Sequence, residues 1–280
     1  MRISLCQLRS TQDPEENLEA LRGAVRRAAD ENADLAVAPE AAMARFGVPL
    51  RPLAQPLDGP WARAVSELAA ETGVSVVTGM FTPAGGRVAN TLLATGPGVA
   101  ESYDKIHLYD AFGYRESDTV AAGRRVVTLD LAGIRIGLAT CYDVRFPELF
   151  RAHADAGATL CLLPASWGAG PGKADQWELL VRARALDATV WLAAVDQALP
   201  SPGADPEAPT AAPNGVGRSL LVGPDGSVRA RMGGEPDVLT VEFDPAETER
   251  VRAAIPVLAN RRLPVDAPAR RPAGDAPAPD

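Results

Sequence analysis

The sequence predicts an α/β fold, and three observations carry that expectation. Short apolar runs alternate with segments of helical periodicity from one end to the other. The runs are apolar at consecutive positions, as in strands covered on both faces. Glycine and proline, 25 of each among 280 residues, punctuate many connections. With 46% hydrophobic and 23% charged residues, the chain has the material for a substantial core and is not disordered throughout.

The elements follow in order. Residues 3–8 read as a strand. Asp13 and Pro14 then supply an N-cap and a proline at the first helical position, with Glu15 and Glu16 favoured in that turn. Leu18, Leu21, Val25 and Ala28 continue at helical spacing to about residue 31. Residues 35–38 are too few for a helix and read as a buried strand. A helix over 61–71 (Trp61, Val65, Leu68) and strands over 74–78 and 90–95 come next. The second half repeats the pattern: strand 134–140, helix 147–154, strand 159–163, helix 174–188, then strands 190–195, 218–222 and 238–243. The GPDG at 223–226 is a turn between two strands.

Two segments differ. Residues 198–217 hold five prolines and residues 266–280 hold four, among Ala, Gly and Asp. Neither buries enough apolar surface to offset ordering its backbone, so the first reads as a surface loop and the second as a disordered tail. No composition shift divides the remainder. The expectation is one domain over residues 1–262 with a Pro/Ala-rich tail over 263–280.

Composition also narrows the function. A net charge of −8 opposes binding to a phosphate backbone, so no nucleic-acid partner is expected. Three cysteines (Cys6, Cys141, Cys161) make no disulfide framework and fit a reducing compartment; with no signal-peptide pattern, a cytoplasmic location is expected. The longest uncharged stretch, 156–172, contains Pro164 and four glycines, so no membrane span is expected. With two histidines and no CxxC pattern, a multi-histidine metal site is not expected, and no G-x-S-x-G elbow is present. The glycine spacing at 168–173 is one short of a phosphate loop, and Ala174 stands where Ser or Thr is required.

Cys141 ends an apolar strand just before the helix that Pro147 opens. Carboxyl ends of strands are where sites assemble in open α/β sheets. A nearby helix N-terminus and any cation would favour its thiolate. Cys6 and Cys161 lie inside apolar strands and read as structural. A thiol nucleophile needs a base. Glu40 ends the 35–38 run and reaches the same crevice edge, where partial burial would raise its pKa toward general-base range; His107 is the other candidate. Lysine occurs only at 105 and 173 in an arginine-rich chain, and Lys105 beside a carboxylate and a thiol would stabilise a developing oxyanion.

Together, Pro39-Glu40, YDKIHL at 103–108 and GLATCYDVRFPEL at 137–149 resemble the nitrilase superfamily of carbon–nitrogen hydrolases, and within it the Nit-type, ω-amidase-like branch. RES at 115–117, PASW at 164–167, QWE at 176–178, RARA at 182–185 and IPV at 255–257 extend the likeness across about residues 2–262. The resemblance implies a four-layer α-β-β-α sandwich that dimerises or assembles further. It implies a Glu–Lys–Cys triad at Glu40, Lys105 and Cys141, with Glu116 as a second glutamate holding Lys105 and the substrate amide. It implies hydrolysis of a small carboxamide through a Cys141 thioester, with the Tyr142 N–H joining Lys105 at the oxyanion and no metal or organic cofactor. Nitrile hydrolysis or acyl transfer on the same triad is the alternative, and a silent binding dimer a further one. Trp167 and Arg145 are the expected substrate contacts. A substrate carboxylate would need a cation, for which Arg145, Arg115 and Lys173 are available; Arg145 serves equally as a structural ion pair.

Overall fold

The computed structural model describes residues 1–200 and 212–263. Most of the proline-rich 198–217 segment and nearly all of the expected tail thus lie outside the described residues. The first half runs β1 (Arg2–Gln7), α1 (Pro14–Asp30), β2 (Leu35–Val37), α2 (Pro60–Thr72), β3 (Ser75–Ala84), β4 (Arg87–Gly96) and β5 (Val99–Asp104). A small hairpin, β6 (Asp110–Ala111) and β7 (Tyr114–Arg115), and β8 (Val120–Ala121) follow. The second half runs β9 (Thr128–Leu131), β10 (Ile134–Leu138), α3 (Pro147–Asp155), β11 (Leu160–Ala165), α4 (Lys173–Ala188), β12 (Trp191–Asp196), β13 (Leu220–Val222), β14 (Val228–Arg231), β15 (Asp237–Glu242) and α5 (Glu247–Ala254).

Among the described residues these strands form two large mixed sheets. One has the order β15-β1-β2-β3-β4-β5, with β8 beside β4; the other has the order β14-β13-β12-β11-β10-β9. The centre of each is parallel (β1-β2-β3 and β10-β11-β12), and the flanks are antiparallel apart from β8, which runs parallel to β4. The sheets face one another across a core that includes Ile3, Leu5, Val37, Leu92, Tyr103, Ile136, Leu162 and Val195. On the outer face of the first sheet, α1 and α2 pack Leu21, Val25, Trp61 and Val65 onto Ala36, Val76 and Met80. On the outer face of the second, α3 and α4 pack Phe150, Trp177 and Val181 onto Cys161, Leu163 and Leu192. The result is the expected α-β-β-α sandwich. Both faces of each sheet are covered, which is why the strand runs lack polar alternation; each fully buried Leu, Ile or Val contributes about 1.5–3 kcal/mol.

Local signals act as the sequence implies. The Asp13 carboxylate accepts the Glu15 N–H at 2.9 Å, capping α1. The GPDG turn closes on itself, Gly226 N–H to Gly223 C=O at 2.9 Å, and joins β13 to β14. Three expectations need correction. Strands 74–78 and 90–95 are longer because Gly85-Gly86, with Gly85 at φ +63°, turns them into one hairpin. Strand 134–140 stops at Leu138 because the Thr140 N–H turns to the Asp143 carboxylate at 2.8 Å. Helix α5 is unforeseen, since only Thr248 in it is buried and its apolar stripe is weak.

Candidate active site

Each functional side chain stands where a strand leaves a sheet. After β2 the chain continues through Ala38, whose N–H reaches Val77 C=O at 2.8 Å, to Pro39 and Glu40. Position 79 in β3 must be glycine for this passage: a Cβ there would lie 2.5 Å from Ala41 N and 2.8 Å from Glu40 Cα. Lys105 follows β5 directly, its N–H held by Asn90 C=O at 2.9 Å. Cys141 opens a 3₁₀ turn over Cys141–Arg145 in the left-handed region, φ +46°. That conformation costs about 1–3 kcal/mol in a non-glycine residue and marks a backbone held in place by its surroundings.

The holding network is polar and buried. The Asp143 carboxylate accepts from Tyr103 Oη (2.6 Å), Thr140 N–H (2.8 Å) and His107 N–H (3.0 Å), and pairs with His107 Nδ1 at 2.7 Å. One carboxylate thus joins the Lys105 segment to the Cys141 turn. His107 also stacks flat on Phe146, with ring centroids 3.7 Å apart. It belongs to the scaffold of the turn.

Lys105 Nζ lies 2.8 Å from Glu40 Oε1 and 2.8 Å from Glu116 Oε2. Asn90 Nδ2 spans the same two carboxylates, donating to Glu40 Oε1 at 2.7 Å and Glu116 Oε1 at 2.9 Å. The second Glu40 oxygen accepts the Ser166 N–H at 2.8 Å, and the Cys141 thiol donates to Ser166 C=O at 3.7 Å. Glu40, Lys105 and Glu116 are at most 2% exposed, and Cys141 5%. The sequence analysis anticipates partial burial of Glu40; its burial is complete.

Burial sets the electrostatics. It pushes the Glu40 carboxyl up, opposed by the Lys105 ammonium and reinforced by Glu116. Burial alone would pull Lys105 down, but Glu116, Glu40 and Cys141 hold it well above its ordinary value, so it is an ammonium. The Cys141 thiol is raised well above its ordinary value, first by burial and then by Glu40, with Lys105 only partly opposing. That direction runs against the sequence argument that a cation favours the thiolate, because burial and Glu40 outweigh Lys105. Cys6 and Cys161 are buried and pushed up to about 12, in keeping with structural roles.

The thiol opens onto a narrow pocket lined by Tyr109, Cys141, Arg145, Ser166, Trp167, Gly168, Lys173 and Pro213. Trp167 and Arg145 thus stand where the sequence expects substrate contacts. Arg145 lies against the Tyr142 and Trp167 rings, 5.8 and 5.2 Å from their centroids, and donates to Gln176 Oε1 at 3.0 Å. Its buried Nε has no hydrogen-bond partner, and among the described residues no carboxylate pairs with it. Lys173 lines the same pocket, lowered by burial and by Arg145. Arg115 is exposed and pairs with Asp118 at 3.5 Å, away from the pocket lining. Among the described residues no group of three or more His, Cys, Asp or Glu side chains is placed to hold a metal ion, and no helix is long and apolar enough to cross a membrane.

Sequence reasoning misses Asn90, Ser166, Tyr109 and Asp196. Asn90 had a signal, an amide in the otherwise apolar middle of a strand. Ser166 and Tyr109 act through backbone groups, which side-chain chemistry does not reveal.

The carbon-nitrogen hydrolase family model matches residues 2–253. The chain is 49% identical over 267 residues to the hydrolase Rv0480c of Mycobacterium tuberculosis, covering 93% of this chain and 95% of the relative. It is 34% identical over 256 residues to the deaminated glutathione amidase of Escherichia coli O157:H7, covering 89% and 92%. Among solved structures it is similar to XC1258 of Xanthomonas campestris, a CN-hydrolase superfamily protein, with a TM-score of 0.81, 28% identity and coverage of 94% and 97%.

Proposed function

This chain belongs to the carbon–nitrogen hydrolase family, and from that premise we propose that Cys141, Glu40 and Lys105 cleave a small carboxamide to a carboxylate and ammonia. The observation that carries the assignment is the convergence of Lys105 on Glu40 and Glu116 at 2.8 Å each, beside a thiol facing the pocket. Glu40 takes the thiol proton as the Cys141 sulfur attacks the carbonyl carbon. The oxyanion that forms is received by Lys105 and the Tyr142 N–H. Glu40 returns its proton to the leaving nitrogen, and ammonia departs from a thioester. Glu40 then takes a proton from water; the hydroxide adds to the thioester, the C–S bond breaks, and Glu40 returns that proton to the departing sulfur, restoring the thiol. Glu116 keeps Lys105 in place throughout and accepts the Tyr109 N–H at 2.7 Å, which ties it to the pocket wall.

The substrate we infer carries an anionic group. Arg145 and Lys173 flank the pocket, and the mutual repulsion of two cations on one small cavity is relieved by an anion between them. The deaminated glutathione amidase among the relatives is by its name an enzyme of amide substrates, which supports the reaction class. We further read residues 1–262 as one hydrolase domain, working in the cytoplasm as a homodimer. The three free cysteines support the cytoplasmic setting.

Intact mass after brief incubation with a panel of amides, nitriles and their carboxylated analogues tests the reading. It expects an acyl adduct that maps to Cys141 and is absent in Cys141→Ala, with the carboxylated amides reacting fastest. Full turnover by Cys141→Ala would refute it.

A further inference from the structure

One buried carboxylate beside the site has no part in the chemistry above. Asp196 ends β12, 0% exposed, and no cation pairs with it among the described residues. Its two oxygens go to backbone: Oδ1 accepts the Trp167 N–H at 2.7 Å and Oδ2 accepts the Val216 N–H at 2.7 Å. An unpaired carboxylate is costly to bury, since burial alone favours its neutral form. With one N–H on each oxygen, a carboxylate satisfies both donors, whereas an amide of the same shape would turn its NH₂ toward one of them.

The peptide it grips is the one that matters. The Trp167 N–H and the Ser166 C=O belong to a single planar trans peptide and point in opposite directions. Fixing the N–H on Asp196 therefore aims the C=O at the Cys141 thiol, 3.7 Å away. One residue earlier, the Ser166 N–H lies on Glu40 Oε2 at 2.8 Å. Neighbouring bonds hold the flanking carbonyls and the Ser166 side chain, leaving the Ser166–Trp167 peptide to Asp196: Gln197 N–H to Ala165 C=O (3.0 Å), Gly215 N–H to Trp167 C=O (2.9 Å) and Ser166 Oγ to Pro213 C=O (2.8 Å). Asp196 itself is held by Ser219 Oγ, which accepts its N–H at 3.0 Å.

We propose that Asp196 is a positioning residue for the reaction: it orients Ser166 so that one backbone segment holds both the general base Glu40 and the thiol of Cys141. The proposal rests on the roles assigned above to those two residues. With Asp196 in place, the Ser166 N–H stabilises the Glu40 carboxylate and the thiol sits at a fixed distance from its base. Without it, the Ser166–Trp167 peptide loses its anchor, the Ser166 C=O leaves the thiol, and the displacement of Ser166 weakens its own N–H bond to Glu40, whose carboxyl then rises further.

The test is the pH dependence of Cys141 alkylation by iodoacetamide, followed by intact mass, in the wild type, Asp196→Asn, Glu40→Gln and Cys141→Ala. The side-chain amide of Asp196→Asn keeps the shape but accepts only one of the two N–H groups. Expected is an acid limb in the wild type, moved up by about one pH unit in Asp196→Asn as a charge-assisted hydrogen bond to Glu40 is lost, only partly offset by removal of the Asp196 charge that raises the Cys141 thiol and opposes Glu40. The alkylation rate should fall about tenfold or more as the thiol loses its alignment. Ammonia release should lose kcat by a similar factor while KM stays within about threefold. A merely structural role would lower the melting temperature without moving the limb. Asp196→Ser, whose single oxygen is too short to hold both donors, carries the same readout should the amide variant fail to fold. A folded Asp196 variant with the wild-type limb and rate overturns the proposal. An acid limb that persists unchanged in Glu40→Gln overturns instead the assignment of the base on which the proposal rests.

Discussion

Glu40→Gln is the sharpest perturbation of the site, because the change is nearly isosteric and its consequences divide cleanly. Glu40 Oε1 accepts from Lys105 and Asn90, and Oε2 accepts from Ser166. A glutamine can face its oxygen only one way. With the oxygen toward Lys105, its NH₂ meets the Ser166 N–H; turned around, it meets an ammonium and an amide donor. Either orientation leaves donors opposed at about 1–3 kcal/mol. Lys105 keeps Glu116 at 2.8 Å, so its charge stays paired and the fold survives. The chemical loss is larger. General base catalysis supplies about 10²–10⁴-fold, and here one group serves both the formation and the hydrolysis of the thioester. We expect kcat/KM for ammonia release to fall by at least that factor, about 2.7–5.5 kcal/mol. The wild-type acid limb should also lie above the ordinary carboxylate value, because the active form is the carboxylate and burial raises its pKa. Activity is then lost as pH falls through that raised value, and the limb disappears in the variant. Steady-state ammonia release from pH 4 to 9 measures both. A folded Glu40→Gln within about tenfold of wild type would refute the role.

The remaining expectations concern the periphery of the site. His107→Ala removes a stacked ring and a bond to Asp143, and should cost about 1–2 kcal/mol of stability while leaving turnover within about tenfold; a loss as deep as that of Cys141→Ala would make His107 a base. Arg145→Ala should raise KM at least about tenfold for carboxylated amides and leave uncharged amides unaffected, the difference being the charge-assisted bond; equal effects on both would remove Arg145 from recognition. His153 is buried with Nε2 2.9 Å from Leu138 C=O, and burial lowers it to about 4. The native state then binds fewer protons than the unfolded chain between about pH 6.5 and 4, so stability falls as pH drops through that window, by about 3 kcal/mol in all. Urea denaturation at pH 7 and 4.5 reads this, and a His153→Gln variant with the same pH dependence would contradict it.

What the sequence made legible follows from range. The apolar runs over β2, β11 and β12 are uniformly buried and were readable because both faces of each strand meet a layer. Glu40, Lys105 and Cys141 were findable because each follows directly on an extended or apolar segment and carries chemistry in its side chain. The raised Cys141 thiol was not findable, since it depends on complete desolvation and on a carboxylate about 100 positions away in the chain. Asp196 was hidden for a similar reason. An acid after the run WLAAV reads locally as a strand end meeting solvent, and only the return of the 212–217 segment reveals what it accepts. The role of Gly79 is likewise tertiary, because the chain it admits comes from another strand.

The charge cluster shows why such a site is built at a stability cost. Moving an ion from water into a protein interior carries a penalty of several kcal/mol, repaid only when its hydrogen-bonding capacity is met inside. Glu116 receives Lys105, Asn90 and the Tyr109 N–H, and Glu40 receives Lys105, Asn90 and the Ser166 N–H. Both carboxylates are thus heavily bonded. Lys105 is different. An ammonium has three N–H donors, and two reach carboxylates at 2.8 Å, leaving one without a partner among the described residues. A fully bonded lysine would stabilise the resting fold best and have nothing to offer a substrate. In the mechanism proposed above, that remaining donor, in a cluster where Cys141 also acts on the ammonium, is the one available to an oxygen that acquires charge only during the reaction. Its desolvation is already met by the fold, so the gain from pairing it accrues to the transition state rather than to the ground state.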